Sequence, residues 1–428
     1  MSIGAHTVSV LPPAGGSPTD ISCLVDSVSI NHGRSDADSP PDAQSCTVEI
    51  SLDTLTTALP PVIDIGAYLF VSTKVAGMTL DRFSGQISDI SQGWDDAGAA
   101  TPDHAIIQVV AMGYMAMLGR RVVGDVPWPQ ELDGARVARI MQAAGITLNP
   151  SKSDPGTVQL IPRDVDAQTA LDLVQEAATD SGGMLWYTRS GGINYADAIH
   201  RRGASYALVL DSCDILVTPT WQRNTEALIN KVSIGYGVPP DGGDQLRYQT
   251  QRDDLMTKWG TWDFSTSTQL AALADAQAMG LDLVTRYGEP VWILSALPID
   301  VKSLSDADTQ ALLGLEIHSL INVTGMPAAG SVPTSAALWV EGWTETLTWA
   351  GHDLELVVSG FCRTAPAPWW NDVPDTQTWD STAPALTWDS VSCLGPPVNQ
   401  GRWDDQPATL RWNQIPPATT WDNYVPTD

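Results

Sequence analysis

"VSINHG" occupies Val28 to Gly33, and "VSIGYG" occupies Val232 to Gly237, in a chain of 428 residues. Apolar and small residues alternate in both, the two-residue period of a strand with one buried face. Two further landmarks follow each in the same order. Val71-Ser72 matches Val323-Thr324, and "FSG" at Phe83 to Gly85 matches "VEG" at Val340 to Gly342. Gly33 to Val71 spans 38 residues and Gly237 to Val323 spans 86, a surplus of 48. That surplus is about the length of the segment from Asp241 to Pro290, so the pattern reads as one β-barrel used twice, the second copy carrying a helical insertion.

Working outward, residues 1–118 read as β throughout. "CTVEISLD" alternates Cys46, Val48, Ile50 and Leu52 with polar residues, and "AYLFVS", "DRFSGQISDIS" and "HAIIQVVAMGY" follow between Gly, Pro and Asp breakers. Residues 119–204 change character and read as a small α+β domain. In "ELDGARVARIMQAAGI", Val137, Ile140, Met141 and Ala144 share one helical face. "DAQTALDLVQEAATDSGG" predicts a second helix with Asp166 as N-cap and Gly182-Gly183 as its stop. "GMLWYTRSGGINYAD" predicts a hairpin. Residues 205–365 return to β, with the helical insertion at about 241–290, where Leu270, Leu273, Leu281 and Val284 form the apolar side. "WTETLTWAGHDLELVVSG" predicts a hairpin with Trp343, Glu345, Leu347 and Trp349 on one face. The expected fold class is mainly β with α+β insertions.

Charge and cysteine content exclude several classes. The chain carries 22 basic and 50 acidic residues, a net charge of −28. Such a surface repels phosphate backbones and anionic lipid, which argues against nucleic-acid or membrane binding through a basic patch. Residues 1–118 alone hold 13 acidic and three basic residues, a net of −10. The five cysteines are scattered and form no CxxC pair, against a disulfide framework or a zinc knuckle. The N-terminus has no basic region before an apolar stretch, and no segment is apolar enough to span a membrane, so synthesis in a cytoplasm is expected.

Residues 366–428 differ from everything before them. Trp370, Trp379 and Trp388 are nine residues apart, and after a 15-residue gap Trp403, Trp412 and Trp421 repeat the spacing. The segment holds ten of the 30 prolines and seven of the 17 tryptophans, but only eight Val, Leu, Ile or Met, too few for an aliphatic core. Extended at about 3.1 Å per residue, the repeat places the rings roughly 28 Å apart. Three readings stand: a strap whose six tryptophans dock on neighbouring subunits, compact β-arches that stack the rings, or a glycan-binding platform combining Trp faces with Asp hydrogen bonds.

No HExxH, GxSxG or GxxxxGK[ST] motif occurs, and the six histidines show no metal-ligand spacing, so no catalytic, cofactor or metal site is expected. "SDADSPPDAQS" (Ser35 to Ser45) lacks the turn glycine and terminal glutamate of a calcium loop and reads as a solvated loop. "GRSD" reads as a strand-ending turn, with Arg34 a candidate inter-subunit contact to an acidic neighbour.

"VDSVSINHGRSDADSPPDAQSCTVEISLD", "IGAYLFVS", "FSGQISDIS", "WPQELDGARVARIMQAAGI" and the run from "WQRNTEALINKVSIGYG" through "GLEIHSLINVTGMP" to "LWVEGWTETLTW" resemble the hub, or tail-associated, proteins at the distal end of phage tails. They cover roughly residues 20–362, and tail proteins of phages infecting actinobacteria are the most similar in character. The resemblance implies two tail-tube-like β-barrels per chain with smaller inserted domains. It also implies a non-enzymatic homotrimer at the virion's tail tip that adapts a six-fold tube to a three-fold end and lines the DNA exit channel. The implied partners are the distal tail protein ring, the tape-measure protein and other tail-tip proteins, with DNA passing through unbound. The alternative is a tail-tip protein that binds host glycan or degrades cell wall.

Overall fold

The computed structural model describes residues 6–36, 39–52, 58–95, 104–124, 127–201, 204–215, 220–238, 244–294, 296–327 and 333–360. Its main body is a 12-stranded sheet. The first region contributes β1 (His6–Leu11), β2 (Thr19–Asp20), β3 (Val25–Gly33), β4 (Ser45–Leu52), β5 (Tyr68–Val75), β6 (Met78–Asp95) and β7 (His104–Met112). They lie in the order β3-β4-β7-β6-β5-β1-β2, so sequence neighbours β5, β6 and β7 form an antiparallel meander closed on β4. The alternation in "CTVEISLD" is realised, with Cys46, Val48, Ile50 and Leu52 all buried in the first core cluster.

The second region continues the same sheet. The long Ala336–Thr348 strand pairs antiparallel with β3, matching Gly342 to Gly33 and Thr348 to Ser27. His352–Gly360 pairs along its other side, and Leu320–Thr324 pairs with its first residues on the same side as β3. Tyr206–Asp211 and Ala296–Asp300 complete the sheet. Two of the matched landmarks therefore face each other, Gly33 of "VSINHG" against Gly342 of "VEG". The other pair separates. "VSIGYG" lies in Lys231–Tyr236, which belongs to a different, three-stranded sheet with Leu246–Gln251 and Asp263–Ser267. Period 2 reports a buried face and says nothing of which strand lies alongside.

Six helices are described: α1 (Met115–Leu118), α2 (Asp133–Ala143), α3 (Ala170–Ser181), α4 (Asp253–Trp259), α5 (Leu273–Arg286) and α6 (Asp306–Leu313). On α2, Val137, Ile140, Met141 and the following Ala144 are buried as the 3.6-residue period requires. The α3 stop is Gly182, left-handed at φ 74. Its N-cap is Thr169, whose hydroxyl accepts from the Asp172 backbone N–H, and not Asp166. Gln168–Thr169 pairs as a short strand with Val122–Val123, which holds the chain extended past Asp166 and delays the helix. On α5 the buried side is Ala276, Gly280 and Val284, whereas Leu273 and Leu281 are exposed. Gly280 explains the rotation: a Cβ there would lie 2.9 Å from the Tyr248 ring, so the helix packs its smallest residue against the sheet. Met184–Tyr187 and Ile193–Ala196 form the expected hairpin. The Trp343 hairpin also forms, but Trp349 lies past the strand end and is exposed.

The expected 119–204 domain and the 241–290 insertion share one hydrophobic cluster. It joins Val137, Ile140 and Leu173 to Val232, Leu270 and Val284. Among the described residues no helix is long and apolar enough to cross a membrane.

Candidate functional site

Buried charged groups from distant parts of the chain converge on the Ala336–Thr348 strand. Strand alternation breaks there at a register shift between Val340 and Gly342, and every residue from Leu338 to Trp343 is buried. A strand covered on both faces admits charge only with paired partners, and both of its glutamates have them.

Glu345 is fully buried. Arg82, from β6, donates from Nε to Oε1 at 2.8 Å and from Nη2 to Oε2 at 2.7 Å, the bidentate geometry that favours arginine over lysine. The remaining Arg82 donor, Nη1, reaches the Leu313 carbonyl at 2.5 Å. His352 Nε2 lies 2.7 Å from Glu345 Oε1. His6 packs edge-on against His352, and its Nδ1 pairs with Thr73 Oγ1 at 2.8 Å. Burial opposes ionisation of Glu345, but the Arg82 and His352 contacts outweigh it and hold the carboxyl well below the usual range. Burial and His352 lower His6 to about 4.

Glu341 is the second centre. Arg201 donates from Nη1 and Nη2 to its two oxygens, each at 2.7 Å. Arg34 donates from Nε at 2.8 Å, and Ser359 donates its hydroxyl. Arg201 Nε also donates to His318 Nδ1 at 2.8 Å, and its guanidinium lies 5.0 Å from the Trp339 ring centre. Close approach of the two backbones is made possible by Gly33, at φ 90: a Cβ there would overlap the Glu341 carbonyl. Arg34, the expected inter-subunit contact, is thus engaged by Glu341 of its own chain.

A third cluster is unlike these. The Arg189 guanidinium lies 3.8 Å from the Trp343 ring centre, and none of its nitrogens has a hydrogen-bond partner. Glu316 is the nearest carboxylate, at 4.0 Å. His32 is sandwiched between Trp343 and Tyr187, and both its ring nitrogens lack partners. Desolvation lowers Arg189 to about 9 and takes His32 well below its ordinary value.

Beside the Glu341 centre lies a cavity of about 120 Å³, walled by Arg34, Arg201, Arg286, His200, His318 and Asp197 among others. Arg286 closes the last turn of α5 and donates to Asp282 at 2.7 Å. His200 pairs with Asp154 at 2.7 Å.

Chemically, the centres hold the sheet together. Glu341 and Glu345 are tied up by guanidiniums, and His6, His32, His200, His318 and His352 pair with or stack on other side chains. Among the described residues no group of three or more His, Cys, Asp or Glu could hold a metal ion. Trp370, Trp379, Trp388, Trp403, Trp412 and Trp421 all lie outside the described residues. Glu345 was signalled in the sequence as an acid on an otherwise apolar strand face. Its partner was not, because Arg82 is 263 residues away.

By sequence, no family model and no curated protein matches. By structure, the 43 kDa tail protein of prophage MuSo2 from Shewanella oneidensis superposes with a TM-score of 0.57 at 12% identity, over 82% of this chain and 98% of that one. A tail protein from Neisseria meningitidis gives 0.57 at 14% identity, over 85% and 98%. The prophage tail protein gp18 from Listeria monocytogenes gives 0.52 at 9%, over 82% and 94%. The chain has the fold of these phage tail proteins. The residues left over on this chain are comparable in number to the segment after Gly360.

Proposed function

We propose that this chain is a structural virion protein, the homotrimeric hub at the distal end of a phage tail, with no enzymatic activity. The observation that carries the reading is the near-complete coverage of tail proteins from three bacterial sources by this fold. In the proposed assembly each chain supplies two tube-like barrels, so three chains present six to a six-fold tail tube. The distal tail ring and tape-measure protein bind on one side and other tail-tip proteins on the other. The net charge of −10 on residues 1–118 suits a channel wall along which DNA slides without sticking. Residues 366–428 act as a strap whose tryptophans dock on neighbouring subunits, each ring burying about 150 to 250 Å².

Symmetry tests the hub. Electron microscopy of the purified assembly or the virion should show three chains around one channel with six similar barrels. A ring of six chains, or a single copy per particle, overturns the hub. A second reading is favoured by the alternation of Trp with Asp and Asn in the tail: a tail-tip platform that binds host glycan. Replacing Trp379, Trp388, Trp403, Trp412 and Trp421 by alanine separates the two. A strap predicts folded barrels but a several-fold loss of particle yield. Normal yield with lost adsorption to the host refutes the strap and supports the platform.

A further inference from the structure

Two exposed surfaces, neither of them part of the charged centres, have opposite chemistry. Trp94 stands near the end of β6, 66% exposed, and pairs in the ladder with Ala105 of β7. Ser91, Gln92 and Gly93 before it are exposed as well. This part of the first region carries no positive residue. Residues 1–118 hold only Arg34, Lys74 and Arg82 as basic residues. Arg34 and Arg82 are bound to Glu341 and Glu345, and Lys74 pairs with Thr79 at the opposite end of β6. Around Trp94 the sequence places Asp89, Asp95, Asp96 and Asp103, with no lysine or arginine between Arg82 and Arg120. The equally exposed Trp349 differs on that point, because Lys302 donates to the Ala350 carbonyl next to it.

The second surface is Arg120-Arg121-Val122, just past α1. All three residues are exposed, Val122 at 62%. The other exposed arginines, Arg139, Arg223 and Arg247, donate to Glu131, Pro290 and Ser265. Arg120 and Arg121 have no ion pair or side-chain hydrogen bond among the described residues. The first turn of α3 abuts them, where the Ala170 N–H donates to the Arg121 carbonyl, but Asp172 keeps its carboxylate on the Thr169 hydroxyl. From Ala105, beside Trp94, β7 runs seven residues to Met112 and on towards this patch, roughly 23 Å of strand. The two surfaces therefore lie at opposite ends of one ladder.

We propose that the Trp94 end of one copy docks on the Arg120-Arg121-Val122 surface of a second copy. Tryptophan and arginine are the side chains that most often anchor an interface, and opposite charge steers the encounter. The chain makes the same pairing internally three times. The guanidiniums of Arg189, Arg201 and Arg223 lie 3.8, 5.0 and 5.8 Å from the ring centres of Trp343, Trp339 and Trp259. Because the two surfaces differ, the contact is heterologous and closes as a ring when its rotation divides the circle. That the ring holds three copies rests on the hub reading; the contact itself does not.

A photo-cross-link tests the contact in the full chain. Replacing Trp94 by p-benzoylphenylalanine keeps a large aromatic at the position and makes it reactive on irradiation. The irradiated assembly should yield bands above the monomer in which position 94 of one copy is joined to the Arg120-Arg121-Val122 stretch of another. Labelling elsewhere, or a chain that stays monomeric, overturns the contact. Charge reversal is the second arm: Arg120→Glu with Arg121→Glu should raise the concentration for half-assembly about tenfold. Unchanged assembly in that variant overturns the contact too. The contact and the hub fail separately. A trimer labelled at another surface keeps the hub and removes the contact, whereas a cross-linked ring of another size keeps the contact and removes the hub.

Discussion

Glu345 and Arg189 are both charged and both buried against the Ala336–Thr348 strand, yet they are held in opposite ways. Glu345 has every acceptor position engaged by Arg82 and His352. Arg189 has a ring beneath it, one carboxylate at 4.0 Å and no hydrogen bond. The first arrangement joins β6 of the first region to the second region and resists any change in how they meet. The second sets a stacked guanidinium between the Ile193 hairpin and the same strand, beside the apolar packing of Met184 and Trp186 with Val340 and Trp343. The contrast sets the seam between the first and second regions, pinned by charge-assisted hydrogen bonds, against the inserted α+β layer, whose arginine meets the strand through a ring face.

The largest effect should come from removing one partner of the closed centre. Arg82→Met leaves Glu345 ionised, buried and paired only with His352, and breaking a buried pair from one side costs about 3 to 5 kcal/mol. Denaturant midpoints at pH 7 measure it. A loss under about 1 kcal/mol would mean that the first and second regions are held by their apolar cores and not by this contact.

Acidification should give a smaller effect of defined sign. His6 has a folded pKa of about 4 against an ordinary 6.5, so the folded state binds fewer protons between those values. Its contribution is therefore intact above pH 6.5 and is lost as pH falls towards 4, by at most about 1.4 kcal/mol per pH unit. Asp180, raised to about 7 chiefly by burial, works the other way across the same range. The measurement is thus a difference: the parent should lose stability relative to His6→Gln between pH 6.5 and 4. Parallel pH profiles for the two chains would show that His6 titrates normally and that its pairing with Thr73 is not maintained.

How much of this was legible beforehand depended on range. Patterns whose cause is local were read correctly: the buried face of "CTVEISLD", the α2 stripe, the Gly182 stop. Patterns whose cause is a distant neighbour were not. Asp166 lost the N-cap to Thr169 because a strand 45 residues earlier holds the intervening chain extended. The α5 face turned because Tyr248 meets Gly280. "VSIGYG" has the period of "VSINHG" but sits in another sheet. The cavity could not be seen at all, since Arg34, Arg201, Arg286 and His318 come from four separate parts of the chain and carry no shared spacing. What the sequence did carry was the inward-facing Glu345, an acid in a row of apolar residues, which signals a buried partner without naming it.

The smallest effect, and the one that sharpens the comparison most, belongs to Arg189. If its guanidinium is held by stacking alone, Arg189→Met keeps a long side chain over Trp343 and removes an incompletely paired buried cation. Lost cation–π attraction costs about 0.5 to 2 kcal/mol, while relief of desolvation returns a comparable or larger amount, as replacement of buried ions by apolar residues commonly does. The net change should lie within about 1 kcal/mol of zero or favour the variant. Glu316, whose own carboxyl is raised by burial, sheds little when its distant partner leaves, because protonation relieves it. Stability of Arg189→Met and Arg82→Met measured side by side in the same denaturant then decides the matter. Two losses of equal size would mean that Arg189 is anchored as firmly as Arg82, through Glu316 or ordered water, and that the α+β layer is as rigid as the seam. A large loss for Arg82→Met alone leaves the sheet welded at Glu345 and free to adjust at Trp343.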